Sequence, residues 1–230
     1  MACTHVMDMA HLCQVGGQGV IVEIDESKFG KRYYNRGKRV KGNWVFGGIK
    51  RIPVVDDKKN KKDKSVKQQK GEKKEKKWQA GQFFAVVVGD RTRETLKQEI
   101  FRYICPGSLV ISDGWAAYRG LDEWFDVDAE GNVLPKNYQH LTVIHEDTFV
   151  DQDTGACTNT IESHWHVAKA DIPKRIWSDS EMLQEYLTTQ VFLSEHDGNL
   201  WEATINALSE TKYLESIENG TFFCVKSQIS

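Results

Sequence analysis

Three apolar, β-branched runs joined by turns, followed by alternating helical and strand patterns, constrain this chain most. The runs are 19–26 (GVIVEIDE), 43–51 (NWVFGGIKR) and 82–89 (QFFAVVVG). Each is short, apolar and bounded by Gly or Asn, which reads as a strand. No helical pattern separates them, so an antiparallel meander is expected. The pattern then changes. Residues 92–104 carry Leu96, Ile100, Phe101 and Ile104 at helical spacing, with Thr92 placed to cap the start and Pro106-Gly107 to follow the end. Residues 108–112 (SLVIS) read as a short central strand parallel to the first. A short helix is expected over 115–121 and a strand over 139–144, with helices over 159–170, 181–193 and 199–208. This order predicts an α/β fold on a mixed five-stranded sheet.

Length and composition fit that expectation. The 230 residues suit one sizeable domain, and 40% hydrophobic with 28% charged residues excludes a disordered polymer. No apolar run approaches the ~18 residues of a membrane span, and the first thirteen residues lack a signal-peptide pattern. No membrane partner and an intracellular location are therefore expected. The five cysteines are odd in number, with no C-x-x-C, which points to reduced thiols. Cys3, His5, His11 and Cys13 lack the knuckle spacing of a zinc module. Charge is unevenly spread. Residues 58–77 hold eleven Lys against one Asp and two Glu, a net of +8, which leaves −10 on the rest of a chain totalling −2. Such a tract buries no core and reads as a solvated insertion at a loop tip. A plain loop, a phosphate-binding arm and a nuclear localisation signal all fit it.

Two aspartates end apolar strands. Asp25 closes VEID and Asp113 follows VIS. A charge there is costly without a role. If the two strands are parallel neighbours, both carboxylates meet at their carboxyl ends, where sites of such sheets form. Two close carboxylates repel unless a cation lies between them, and Mg²⁺ prefers oxygen ligands. Glu162, in the first turn of the helix over 159–170, is the candidate third carboxylate. Lys169 lies two turns along the same face. An ordinary solvated Glu–Lys helix face is the competing reading for that pair.

The blocks VEIDESKFGKRYYNRGKRVKGNWVFGGIKR, DRTRETL, ICPGSLVISDGWAAYRGL and HEDTFVDQDTGACTNTIESHWHVAK resemble the catalytic domain of Merlin-type DDE transposases and their bacterial insertion-sequence relatives. The resemblance runs from about residue 16 to 174. It implies a ribonuclease-H-like fold with helices on both faces of the sheet. It also implies an acidic triad, here Asp25, Asp113 and Glu162, as catalytic and metal-binding residues. Lys169 stands where a basic residue often follows the Glu, and His145 matches a His of the family's block. The implied activity is metal-dependent DNA strand cleavage and strand transfer. Two Mg²⁺ or Mn²⁺ ions would be bridged by Asp25, with Asp113 on one and Glu162 on the other. The implied partners are DNA, as transposon ends and target, and further copies of the chain. The implied location is the nucleus in a eukaryotic cell, otherwise the cytoplasm or nucleoid.

Family members usually carry a zinc ribbon and helix-turn-helix ahead of this domain. Here residues 1–15 read as a remnant of that region or as disordered. Residues 16–210 read as the catalytic domain, with the Lys-rich insertion at 57–78, and 211–230 as a tail. The competing function is a domesticated derivative that binds DNA or a partner without transposing. Around the triad, Lys28, Lys31 and Arg32 are candidate phosphate contacts. Glu26 should point to the face opposite Asp25. Trp115 is expected to pack beneath the site rather than stack on bases. Asp122, Asp126 and Asp128 read as a solvated loop.

Overall fold

The computed structural model describes residues 14–30, 42–54, 78–143 and 157–195. Its central strand, β1 (Ile21–Phe29), is flanked on both sides and buries apolar side chains on both faces. β2 (Asn43–Pro53) pairs antiparallel with β1, and β3 (Trp78–Val88) antiparallel with β2. β4 (Leu109–Asp113) runs parallel to β1 on its other side, and β5 (Gln139–Val143) runs parallel to β4. The order is β3-β2-β1-β4-β5, the mixed five-stranded sheet expected from the sequence.

Among the described residues, three α-helices cover the two faces. α1 (Arg93–Tyr103) begins at Thr92, whose hydroxyl accepts from the Thr95 amide at 3.4 Å. It buries Leu96, Ile100 and Tyr103, one helical stripe, against Val22, Ile24, Phe46 and Phe84. α2 (Asn159–Asp171) buries Ile161, Trp165 and Ala168, and α3 (Ser180–Glu195) buries Leu183, Leu187 and Val191. Both pack on the opposite face, against Phe29, Val45, Ile49, Phe83 and Ala85. Strand alternation makes this two-sided core: neighbours in β1 and β2 serve different helices. Each fully buried Leu or Ile contributes ~1.5–3 kcal/mol. Gly107, at φ +79°, takes the left-handed turn between α1 and β4 that a side chain would strain.

Boundaries moved where local pattern was weak. β1 extends to Phe29 and β3 begins at Trp78. The helix expected over 115–121 is two 3₁₀ turns, Ala116–Tyr118 and Leu121–Glu123. The stretch read as a solvated loop contains a small hairpin, Phe125–Val127 paired with Val133–Pro135. Among the described residues no helix is long and apolar enough to cross a membrane. The segments 1–13, 58–77 and 196–230 lie outside the described residues, as do Lys31, Arg32 and His145. The expectations for them rest on sequence alone.

Candidate active site at the carboxyl ends of β1 and β4

The parallel register of β1 and β4 pairs Ile21 with Leu109, Val22 with Val110 and Glu23 with Ile111. Two residues further along each strand stand Asp25 and Asp113. Both therefore belong to the face that α2 covers. Asp113 Oδ1 accepts the Trp115 backbone N–H at 3.0 Å, which fixes the turn leaving β4.

α2 is held in place from β1. Glu23 is completely buried, and its Oε2 accepts from the Thr160 and Ile161 backbone amides, each at 3.0 Å. A strand carboxylate thus satisfies two of the open amides at the start of α2, where the helix dipole favours an anion. Glu23 Oε1 is ion-paired with the Arg51 guanidinium, which is also buried and donates to the Cys157 carbonyl. One turn into α2, Trp165 Nε1 donates to Asp25 Oδ2 at 3.1 Å. The indole lies against Gly47, the β2 partner of Asp25; a Cβ there would sit 2.6 Å from Trp165 Cη2. Gly47 makes that approach possible. Glu162 lies on the same first turn, and its Oε1 accepts from the Thr158 hydroxyl at 2.9 Å.

Electrostatics link the three acids. Burial pushes the Asp25 carboxyl up to about 7; the charge of Glu26 adds most after that, then Asp113, with Glu162 a smaller contribution. A backbone hydrogen bond only partly offsets these. Glu26 does point away from α2, as strand alternation requires. Its carboxylate takes the Tyr118 hydroxyl and faces Arg91 at 3.8 Å. Burial still raises it above its ordinary value. Near neutral pH the buried Asp25 carboxyl therefore resists ionising beside its acidic neighbours. Among the described residues, no group of three or more His, Cys, Asp or Glu side chains is gathered closely enough to hold a metal ion.

The remaining candidates are spread around this centre. Lys28, on β1, lies with Nζ 4.8 Å from the Trp44 ring, and burial with the nearby Arg91 lowers its pKa. Lys169 is in the last turn of α2, its Nζ 5.4 Å from the Phe29 ring. Trp115 corrects the sequence expectation: it is 40% exposed rather than packed beneath the site. Glu23 and Arg51 went unread in the sequence. The signal available was a second carboxylate two residues before Asp25, on the same strand face.

A mixed sheet with an aspartate at each of two adjacent parallel strand ends defines an α/β protein with two strand-end carboxylates, and α2 packs on the same face with Glu162 in its first turn. Residues 17–194 match the family model described as the ISXO2-like transposase domain, and the chain belongs to that transposase family. The match supports a transposase without singling out the Merlin-type branch. No curated protein and no solved structure matches the chain.

Proposed function

We propose that this chain is a ribonuclease-H-like DDE catalytic domain that cuts and joins DNA strands with divalent metal, Asp25, Asp113 and Glu162 being its acidic triad. The observation that carries the reading is the Asp25 carboxyl at a strand end: held by Trp165 and raised to about 7 by burial first, then by the charges of Glu26 and Asp113, with Glu162 a minor contribution. A buried carboxyl that resists ionising becomes a favourable anion once a cation sits beside it. Three carboxylates are the oxygen donor set that Mg²⁺ or Mn²⁺ takes.

Cutting and joining are one displacement at phosphorus. A water or 3′-hydroxyl oxygen attacks in line and gives up its proton to solvent as the new P–O bond forms, the opposite P–O bond breaks, and the departing oxygen takes up a proton from solvent. Only the nucleophile differs, so one site serves both. Bound divalent metal supplies charge neutralisation at the phosphate and a more acidic nucleophile. Asp25 and Asp113 fix one side of that arrangement from the rigid sheet. Glu162, on the first turn of α2 that Glu23 anchors, stands apart from them and would have to swing in from its Thr158 contact to complete a three-carboxylate donor set. Lys28 and Lys169 supply positive charge for the DNA backbone, and copies of the chain assemble on transposon ends and target.

The test is nicking of supercoiled plasmid in Mg²⁺ or Mn²⁺. The wild type nicks, chelator abolishes it, and Asp113→Asn and Glu162→Gln each lose it while still folding. Nicking that survives chelator or both substitutions overturns the reading; a folded wild type that binds DNA without nicking favours the domesticated alternative. The Lys-rich tract at 58–77 acts in this reading as a sequence-independent DNA arm on an otherwise acidic chain. Deleting it weakens DNA binding and flattens the slope of log affinity against log salt, because each neutralised phosphate releases counterions. An unchanged slope removes that role.

A further inference from the structure

An aromatic–cationic ladder flanks the acidic centre on the side away from α2. Arg91 Cζ lies 3.8 Å from the Trp44 ring and 4.5 Å from the Trp115 ring. Lys28 Nζ adds a second cation over Trp44. Trp115 ends the ladder and is fixed by bonds rather than by burial. Its backbone N–H is tied to Asp113 Oδ1, and its indole Nε1 donates to the Arg91 carbonyl at 3.3 Å. The result is a rigid, partly open indole two residues from Asp113, backed by a guanidinium. Trp115 is 40% exposed, so part of this held side chain is open to a ligand beside Asp113.

We propose that the open part of the Trp115 ring is a stacking platform for an unpaired nucleobase of DNA, next to the phosphate held at the acidic centre. This deepens the transposase reading and rests on it. Every base has a π-face, so a fixed indole accepts any of the four. A base in an intact duplex already has both faces stacked, so the platform selects one that is unpaired or drawn out of the helix. Arg91 stands beside the ring, with Lys28 further along over Trp44, and both offer positive charge to the sugar–phosphate chain carrying that base. The short distance in sequence from Trp115 to Asp113 places the stacked base on a nucleotide adjoining the reacting phosphate. Trp115 is thereby a binding residue that fixes DNA register at the site.

The experiment measures binding without cleavage, in chelator. The probes are a fluorescein-labelled single-stranded oligonucleotide containing 2-aminopurine and an abasic oligonucleotide of equal length. Wild type quenches the 2-aminopurine and binds the base-containing strand about tenfold tighter than the abasic one, the worth of about one stacked base. Trp115→Ala lowers affinity for the base-containing strand about tenfold and leaves the abasic strand unchanged; Trp115→Phe keeps most of the preference. Equal weakening toward both strands, or no change toward either, overturns the platform. Since no metal is present, loss of this preference leaves the nicking result standing. A chain that stacks the base but never nicks in Mg²⁺ refutes the catalytic reading alone.

Discussion

Replacing Arg51 with methionine lowers stability by about 3–5 kcal/mol, the cost of leaving one member of a buried ion pair uncompensated. Methionine fills a similar volume, so the loss is electrostatic rather than a cavity. Both partners are inaccessible to water: Glu23 is fully buried and Arg51 is 3% exposed. Without the guanidinium, Glu23 retains only the two amides at the start of α2, and the Cys157 carbonyl loses its donor. Adding Glu23→Gln restores part of the loss. The amide oxygen still accepts from Thr160 and Ile161, and no net charge stays buried. Urea denaturation of the single and double variants measures both effects. A single variant within 1 kcal/mol of wild type refutes the clamp, and a double variant no better than the single refutes its electrostatic origin. The clamp also bears on chemistry, because it sets where the first turn of α2, and so Glu162, stands against Asp25. Arg51 is further tied to β3, its Cζ lying 5.6 Å from the Trp78 ring.

Sheet order was legible because each strand carries its own local signal. VEID and VIS are apolar runs that stop at an aspartate, and a shared parallel register then brings Asp25 and Asp113 to one face without further information. α1 was legible for the same reason, down to its capping Thr92. Glu23 was not, because its meaning is entirely non-local. Its partners are 28 residues away at Arg51 and 137 and 138 away at Thr160 and Ile161. On the strand alone, VEIDES offers three acids, and nothing local marks Glu23 as the partner of a distant arginine and helix start. Trp115 misled because burial is the common fate of Trp, and the guanidinium that holds it outward comes from Arg91, 24 residues earlier. The 125–135 hairpin hid behind Asp126, Asp128 and Gly131, whose turn chemistry outweighs two three-residue strands.

Asp25→Asn abolishes high-affinity Mg²⁺ or Mn²⁺ binding, lowering affinity by more than about 100-fold. Outer-shell substitutions at metal sites already cost about 10–100-fold, and Asp25 would be one of the residues holding the metal directly. The asparagine keeps the shape of the side chain and still accepts from Trp165 Nε1, so the fold is spared. A pH signature accompanies the loss. With its carboxyl raised to about 7, wild type binds metal weakly at pH 6 and tightly at pH 8. Near pH 7 binding releases a proton to buffer, which calorimetry in buffers of different ionisation enthalpy reads directly. Asp25→Asn shows no such release. The stability of the metal-free protein runs the opposite way with pH. Folded, metal-free wild type retains a proton that the unfolded chain gives up between about pH 4 and 7, so its stability falls as pH rises through that window. The deficit is complete above pH 7. In chelator, Asp25→Asn therefore melts above wild type at pH 8 and converges on it near pH 4. Equal metal binding by the two proteins, or a melting difference that does not change with pH, removes Asp25 from the centre of the site.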